Sequence, residues 1–318
     1  MEQAPQISDD FINNNTDFEE LITALKSGFS SKDFIVPQRH HHDFPNSATG
    51  VDSTLLLMPA WQSGKHAGVK IATVSPENDR FGLPSIQAIY IFMDAKTGVV
   101  KATLQAKSLT AKRTAAASAL ASNYLSRPDS NSLLMIGTGA LSSNLIRAHA
   151  SVRPIQKVFV WGRNPEKAKA ICDTLKEEPF DCHFIESIED KISTVDIISC
   201  ATLSKTSLVL GKNLKEGQHI DLVGAYKKDM READDEVIKK ASIFVDTPAG
   251  IEESGDIFIP LQKGVLQKED IKGDLFSLCA GKSTGRTSEN QITLFKSVGH
   301  ALEDLVAASY FYDKYTNG

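Results

Sequence analysis

The segment Leu133-Leu134-Met135-Ile136-Gly137-Thr138-Gly139-Ala140-Leu141-Ser142 leaves a chain of this kind few ways to fold. An apolar run, a Gly-x-Gly turn and a string of small residues predict a buried strand, a tight turn and a helix start. Ser142 stands where a third glycine is often found. The first glycine permits the turn, and the second lets a pyrophosphate approach backbone N–H groups at the helix N-terminus, where the helix dipole favours anions. A Gly-x-Gly pair alone says little, but here a second apolar strand follows and ends at Trp161, as dinucleotide binding requires.

The end of that second strand discriminates between cofactors. A carboxylate there bonds the ribose hydroxyls of NADH and repels a 2′-phosphate. This chain has Trp161-Gly162-Arg163-Asn164-Pro165 instead, with no acid and with a planar cation suited to phosphate. NADPH is therefore the expected cofactor, with NADH possible; the competing reading makes Arg163 a solvated loop residue.

From Leu133 onward, short apolar runs alternate with amphipathic segments. Strands are expected at 133–136, 157–161, 183–186, 196–201, 219–223 and 243–246, with helices at 140–151 and 165–178. Asn164 caps the second of these helices and Pro165 opens it. This alternation predicts an α/β fold built on a Rossmann-type, doubly wound parallel sheet. The first third reads differently. A helix near residues 17–30 precedes extended runs at 34–36, 54–58, 69–74, 86–93 and 99–104, and the loop 94–98 ends in glycine at hairpin length. An N-terminal α+β domain with a mainly antiparallel sheet is expected. The apolar positions of 295–315 predict a closing helix.

Composition narrows the partners. The 318 residues carry 35 basic and 40 acidic side chains, a net charge of −5, with no dense basic run, which argues against nucleic acid. No apolar stretch approaches the ~20 residues that span a bilayer, and the acidic, polar residues 1–10 do not resemble a secretory signal. A cytoplasmic protein with no membrane partner is expected. Cys172, Cys182, Cys200 and Cys279 lie far apart with no Cys-x-x-Cys pair and read as reduced, mostly buried thiols. His40-His41-His42 suggests metal, but neighbours on an extended chain point to opposite faces and no carboxylate or thiol cluster accompanies them. No metal is expected. The segment Arg231-Glu232-Ala233-Asp234-Asp235-Glu236 reads as acids in the first turn of a helix.

Outside the nucleotide fold, Arg39, Lys70, Ser85 and Arg113 are the candidate substrate ligands. Lys70 lies in Gly68-Val69-Lys70-Ile71-Ala72, an otherwise apolar strand in which a buried ammonium needs an anion. The alternative is an outward-facing lysine on a half-buried strand. Arg113 is placed just before a small-residue helix at 115–122; on charge alone, such residues are more often surface residues than ligands.

The combination of Gly68-Val69-Lys70, Leu109-Thr110-Ala111-Lys112-Arg113-Thr114-Ala115-Ala116, Ile136-Gly137-Thr138-Gly139-Ala140, Val223-Gly224-Ala225 with Arg231-Glu232, and Leu294-Phe295-Lys296-Ser297-Val298-Gly299 resembles the ornithine cyclodeaminase and mu-crystallin family. The resemblance runs from about Pro37 to the final helix. It implies a substrate-binding and dimerisation domain in residues 1–113, an NAD(P)-binding domain in 114–292 and a C-terminal helix in 293–318 that returns to the first domain. It also implies a homodimer. By position, Arg39, Lys70 and Arg113 would hold a substrate carboxylate, with Ser85 supplying a nearby hydroxyl. Lys70 is the candidate catalytic residue, orienting the carboxylate or relaying a proton. Thr114, Gly137, Gly139, Ala140, Leu141, Arg163, Asn164, Thr202 and Val223 would line the cofactor.

One departure from the family pattern is informative. The acid that cyclodeaminases place shortly after the Val-Gly pair is missing, and Tyr226 stands there. The resemblance then implies hydride transfer at the α-carbon of a small anionic cyclic imino acid. The expected reaction is reduction of Δ1-pyrroline-2-carboxylate to L-proline, with Δ1-piperideine-2-carboxylate to L-pipecolate as a second. Ornithine cyclodeaminase, an amino-acid dehydrogenase and a non-catalytic mu-crystallin-like binding protein are the rival readings.

Overall fold

The computed structural model describes residues 4–248 and 250–318, which divide into two compact units, one of residues up to 113 with 300–318 and one of the described residues between 114 and 299. The first unit begins with β1 (Gln6–Ile7), α1 (Asp9–Asn14) and α2 (Phe18–Ser30). It continues through β2 (Phe34–Ile35), β3 (His40–Phe44), β4 (Ser53–Gln62), β5 (His66–Val74), β6 (Ile86–Asp94) and β7 (Val100–Gln105). The strands form one sheet in the order β1-β7-β6-β5-β4-β2, with β3 also on β4, and every pairing is antiparallel except β1 with β7. In β5 the buried positions are Gly68, Lys70, Ala72 and Val74, the period of two that a sheet with one covered face imposes. The Asp17 side chain caps α2 by accepting from the Glu20 N–H, and Leu21, Ile22, Leu25 and Phe29 bury one stripe. α3 (Ala106–Leu125) carries the chain into the second unit.

The second unit is a parallel α/β sheet. Its strands are β8 (Ser132–Ile136), β9 (Lys157–Trp161), β10 (Asp181–Phe184), β11 (Ile197–Cys200), β12 (His219–Leu222), β13 (Ser242–Val245), β14 (Ile271–Asp274) and β15 (Thr293–Lys296). Between them run α4 (Ser142–Val152), α5 (Pro165–Thr174), α6 (Glu189–Ile192), α7 (Asp235–Lys240), α8 (Gly250–Glu253), α9 (Gly255–Gln262) and α10 (Leu275–Cys279). The order is β10-β9-β8-β11-β12-β15-β13-β14, all parallel. The chain leaves β8 toward β9 and β10, then returns to add β11 on its other side. That reversal between β8 and β11 is the switch point where doubly wound sheets bind dinucleotides, outside the strands' carboxyl ends. α11 (Ala301–Asn317) returns to the first unit, where it packs on α2 and β5 and buries Leu302, Leu305, Val306 and Phe311. No helix among the described residues is long and apolar enough to cross a membrane.

Several expectations need correction. Residues 293–296 are a fully buried strand between β12 and β13 rather than the start of the closing helix, so the boundary expected at 292/293 falls at 299/300. A strand covered on both faces is apolar throughout and shows no period of two. Its Leu294 and Phe295 ran on into the helical spacing of Val298, Leu302 and Leu305. Gly299, with φ of 82°, and the N-cap His300 separate the two elements. Arg113 lies inside α3, because no helix breaker separates Ala106 from the small-residue run. β10 begins two residues earlier than expected, and β14 was not foreseen. Of the cysteines only Cys200 is fully buried, and Cys172 and Cys182, ten residues apart, lie together in space.

Candidate active site

In the second unit the switch point is shaped by backbone. The Gly137 N–H donates to the Trp161 carbonyl at 2.9 Å, and the Ala201 N–H to the Ile136 carbonyl at 2.9 Å, which draws the ends of β8, β9 and β11 together. Gly137 has φ of 122°, and a Cβ there would stand 2.4 Å from the Ala201 carbonyl oxygen, so only glycine fits. A Cβ on Gly139 would meet nothing within 4 Å, and Gly139 and Ala140 are exposed. The turn therefore offers an open approach to the start of α4, whose Ser142 hydroxyl donates back to the Gly137 carbonyl at 2.9 Å. Leu141 precedes that helix. Gly137, Gly139, Ala140, Leu141 and Thr202 thus gather at the carboxyl ends of β8 and β11, with Val223 at the end of β12. This cradle fits the diphosphate of a dinucleotide.

At the end of β9, Arg163 is exposed, and Asn164 caps α5 by accepting from the Glu166 and Lys167 N–H groups at 3.0 and 3.3 Å. Arg163 makes no ion pair with any acid among the described residues. Thr114 is buried within α3 rather than at the strand ends. Tyr226 is half-buried, and burial raises its phenol, with Asp229 adding to the shift.

Beneath these loops lies a group the sequence reading assigned to a helix's first turn. Glu232 precedes α7, whose N-cap is Asp234, and is fully buried. Its Oε1 accepts from the Thr202 N–H and hydroxyl at 2.6 and 2.9 Å, and its Oε2 from the Gly224 and Ala225 N–H groups at 2.9 and 3.1 Å. Asp256 Oδ1 in turn accepts from the N–H groups of Glu232 and Ala233. Lys296 Nζ, also fully buried, lies 3.2 Å from Asp256 and 3.8 Å from Glu232. Burial raises the Glu232 carboxyl, and Lys296 opposes that shift. One glutamate thereby ties together the two loops that carry Thr202 and Gly224.

In the first unit, Lys70 points to the covered face of the sheet and is 4% exposed, which removes the outward-facing reading. Its Nζ lies 2.7 Å from Asp304 Oδ2. Arg113 donates from Nε to Asp304 Oδ1 at 2.9 Å and from Nη1 to Glu303 Oε2 at 2.7 Å, leaving Nη2 outside both bonds. The two cations and two carboxylates cancel. The sequence reading missed Glu303 and Asp304 because, in a helix of mixed apolar and acidic residues, they look like a dipole-favoured first turn. Opposite Lys70 on β6, Tyr90 is fully buried with its hydroxyl lacking a hydrogen-bond partner. A Cβ on Gly68 would lie 2.3 Å from that hydroxyl, so glycine is what admits the ring.

The electrostatics follow from burial and these partners. Burial pulls the Lys70 ammonium down to about 8, with Asp304 opposing and Arg113 reinforcing the shift. Asp304 resists its own burial and is lowered by Arg113 and Lys70. Arg113 is raised, because the two carboxylates outweigh its burial. His300 is lowered to about 4 by burial and then by the charge of Arg39, with Asp304 opposing. Arg39, half-buried before β3, therefore acts on the same corner as Asp304.

Ser85 is not brought to this group. Its carbonyl accepts from the Ser75 N–H, five residues along β5 from Lys70, or about 16 Å at strand rise. His40, His41 and His42 are exposed on β3, with the His40 and His42 rings on one face, 6.1 Å apart. Among the described residues no cluster of three metal-binding side chains occurs. A crevice of about 320 Å³ opens elsewhere on this unit, beside α2 and α11, and none of the candidate ligands lines it.

The ornithine cyclodeaminase/mu-crystallin family profile matches residues 10–318. The chain belongs to this family. An uncharacterised protein of Schizosaccharomyces pombe is 43% identical over 303 residues, covering 92% of each chain. The Δ1-pyrroline-2-carboxylate reductase of Colwellia psychrerythraea is 37% identical over 312 residues, covering 97% of this chain and 98% of its own. Among solved structures, Thermococcus litoralis Δ1-pyrroline-2-carboxylate reductase in complex with NADH and L-proline has a TM-score of 0.91 at 32% identity, covering 98% of each chain. An archaeal alanine dehydrogenase dimer with bound NAD has a TM-score of 0.90 at 27% identity, covering 99% of this chain and 96% of its own. The antiparallel sheet and the Rossmann-type parallel sheet are the architecture of this family.

Proposed function

We propose that this protein reduces Δ1-pyrroline-2-carboxylate to L-proline with NADPH, and Δ1-piperideine-2-carboxylate to L-pipecolate as a second reaction, as a cytoplasmic homodimer. The chain is an NAD(P)H-dependent oxidoreductase of CH–NH bonds. The observation that carries the finer reading is Lys70, a buried lysine held near neutrality beside a carboxylate and an arginine. Such a group can give up a proton at working pH, which an exposed lysine cannot do well.

The chemistry divides among the residues as follows. Arg113, braced by Glu303 and Asp304, presents Nη2 to the substrate carboxylate, with Arg39 as the second cation. Lys70 Nζ donates to the ring nitrogen, so that the imine carbon becomes electrophilic, and Asp304 steadies the ammonium. When bound, NADPH supplies the hydride that this carbon accepts. Tyr226 in place of the cyclodeaminase acid argues against handling a second amine, and thus against ornithine cyclisation. Support for a single imino-acid substrate also comes from the T. litoralis reductase with L-proline, and support for a dimer from the archaeal dehydrogenase. Arg163 is the group that would favour the 2′-phosphate of NADPH.

The test is cofactor oxidation with each ketimine, repeated with NADPH and NADH. The expected result is turnover of both ketimines, no ammonia from L-ornithine, and at least ~10-fold better efficiency with NADPH, the scale of one charge-assisted phosphate contact. Absence of turnover with both ketimines overturns the reaction. Equal use of NADH removes Arg163 from its role.

A further inference from the structure

The parallel sheet ends at β10, an edge strand whose one neighbour is β9. On β10, Cys182 and Phe184 face inward while Asp181 and His183 are exposed, and α5 covers the inward side. Cys172 lies in the last turns of α5, and the Cys182 Sγ–H donates to the Cys172 Sγ at 3.1 Å. Both side chains are half-buried, within reach of a small oxidant, whereas Cys200 is fully enclosed. We infer that Cys172 and Cys182 form an oxidation site, a thiol pair that one hydroperoxide converts to a disulfide joining α5 to the edge strand.

The roles are unequal. The hydrogen bond from Cys182 lowers the Cys172 thiol despite burial and Asp173, while the same contact and burial raise Cys182. Cys172 is the attacking sulfur. Its thiolate displaces hydroxide from the O–O bond of hydrogen peroxide, giving a sulfenic acid; the Cys182 sulfur then attacks that sulfur, its proton leaves with the hydroxyl as water, and the S–S bond forms. In balance, two thiols and one peroxide give one disulfide and two waters. The ring closed is short, from α5 through residues 175–180 to β10. Cys172 lies about 12 Å down α5 from Asn164 at the helical rise, so the cofactor-side loop is not drawn into the new bond.

The experiment treats the full-length protein with hydrogen peroxide, blocks remaining thiols with iodoacetamide and maps the digest by mass. The expected product is one Cys172–Cys182 cross-linked peptide, two hydrogens lighter than the reduced pair and reversed by dithiothreitol. Cys200 and Cys279 stay alkylatable after unfolding. The melting temperature should rise by about 3–10 °C on oxidation. Cys182→Ser should instead accumulate sulfenic or sulfinic acid at Cys172, and Cys172→Ser should leave Cys182 reduced. Four free thiols after peroxide, a disulfide involving Cys279, or sulfinic acid at Cys172 in the unaltered protein would each overturn the proposal. The wild-type map decides the matter even if either variant folds poorly.

Discussion

Each unit buries a lysine among carboxylates, and the two clusters spend those carboxylates differently. Around Lys296, Glu232 and Asp256 turn their oxygens to backbone N–H groups of Thr202, Gly224, Ala225, Glu232 and Ala233. Around Lys70, Asp304 gives one oxygen to Lys70 and the other to Arg113, and no backbone donor shares it among the described residues. The first arrangement uses charge to hold loops in place. The second uses it to hold one ammonium near its titration point, with burial pulling Lys70 down and Asp304 pulling it back. A buried lysine's task is thus written in what its partner's remaining oxygens do.

Removing each lysine should separate the two tasks. Lys70→Met keeps most of the volume while deleting the proton donor, and turnover of Δ1-pyrroline-2-carboxylate per folded molecule should fall about 10²–10⁴-fold. Cofactor affinity, read by fluorescence titration, should be unchanged within a few-fold. Activity within a few-fold of wild type would end the distinction drawn for Lys70. Lys296→Met should instead act on folding, since it leaves Glu232 and Asp256 buried without their cation, at a cost of about 3–5 kcal/mol in urea unfolding. A loss below about 1 kcal/mol would show that the carboxylates are satisfied by backbone alone.

The two clusters were also unequally legible in the sequence. Lys70 stood out because an ammonium interrupts an apolar strand of period two, and Arg113 stood out by family resemblance. Their partners did not, because acids three and four residues after a helix N-cap look the same whether they face water or a buried cation. Glu232 was hidden for the same reason, in an acidic run that looked like one helix turn. The Rossmann turn was legible because Gly137 is required by local backbone geometry, which neighbouring residues announce. The strand at Thr293–Lys296 was not, since its burial on both faces comes from β12 and β13, far away in the chain. The distance of Ser85 from Lys70 was hidden for a related reason, as strand register decides which residues share a row, and register is a long-range property.

The smallest expected effect is the sharpest test of the comparison. If Lys70 must carry its proton to act, turnover at saturating cofactor should hold below about pH 8 and fall above it. Asp304→Asn removes the main influence that raises Lys70, leaving burial and the Arg113 charge, both of which lower it, opposed by Glu303 alone. The alkaline limb should therefore move to lower pH, by about one unit. The linked stability has a definite sign. Because the folded value lies below the ordinary 10.5, the unfolded chain binds more protons between about 8 and 10.5, and Lys70 makes the wild-type fold gain stability as pH rises through that window. In Asp304→Asn that window should open at lower pH, in step with the limb. Asp256→Asn, the counterpart beside Lys296, should lower stability while leaving the limb where it was. A limb that moves in Asp256→Asn, or stays in Asp304→Asn, would mean that the two clusters do not divide the work between holding loops and tuning a proton.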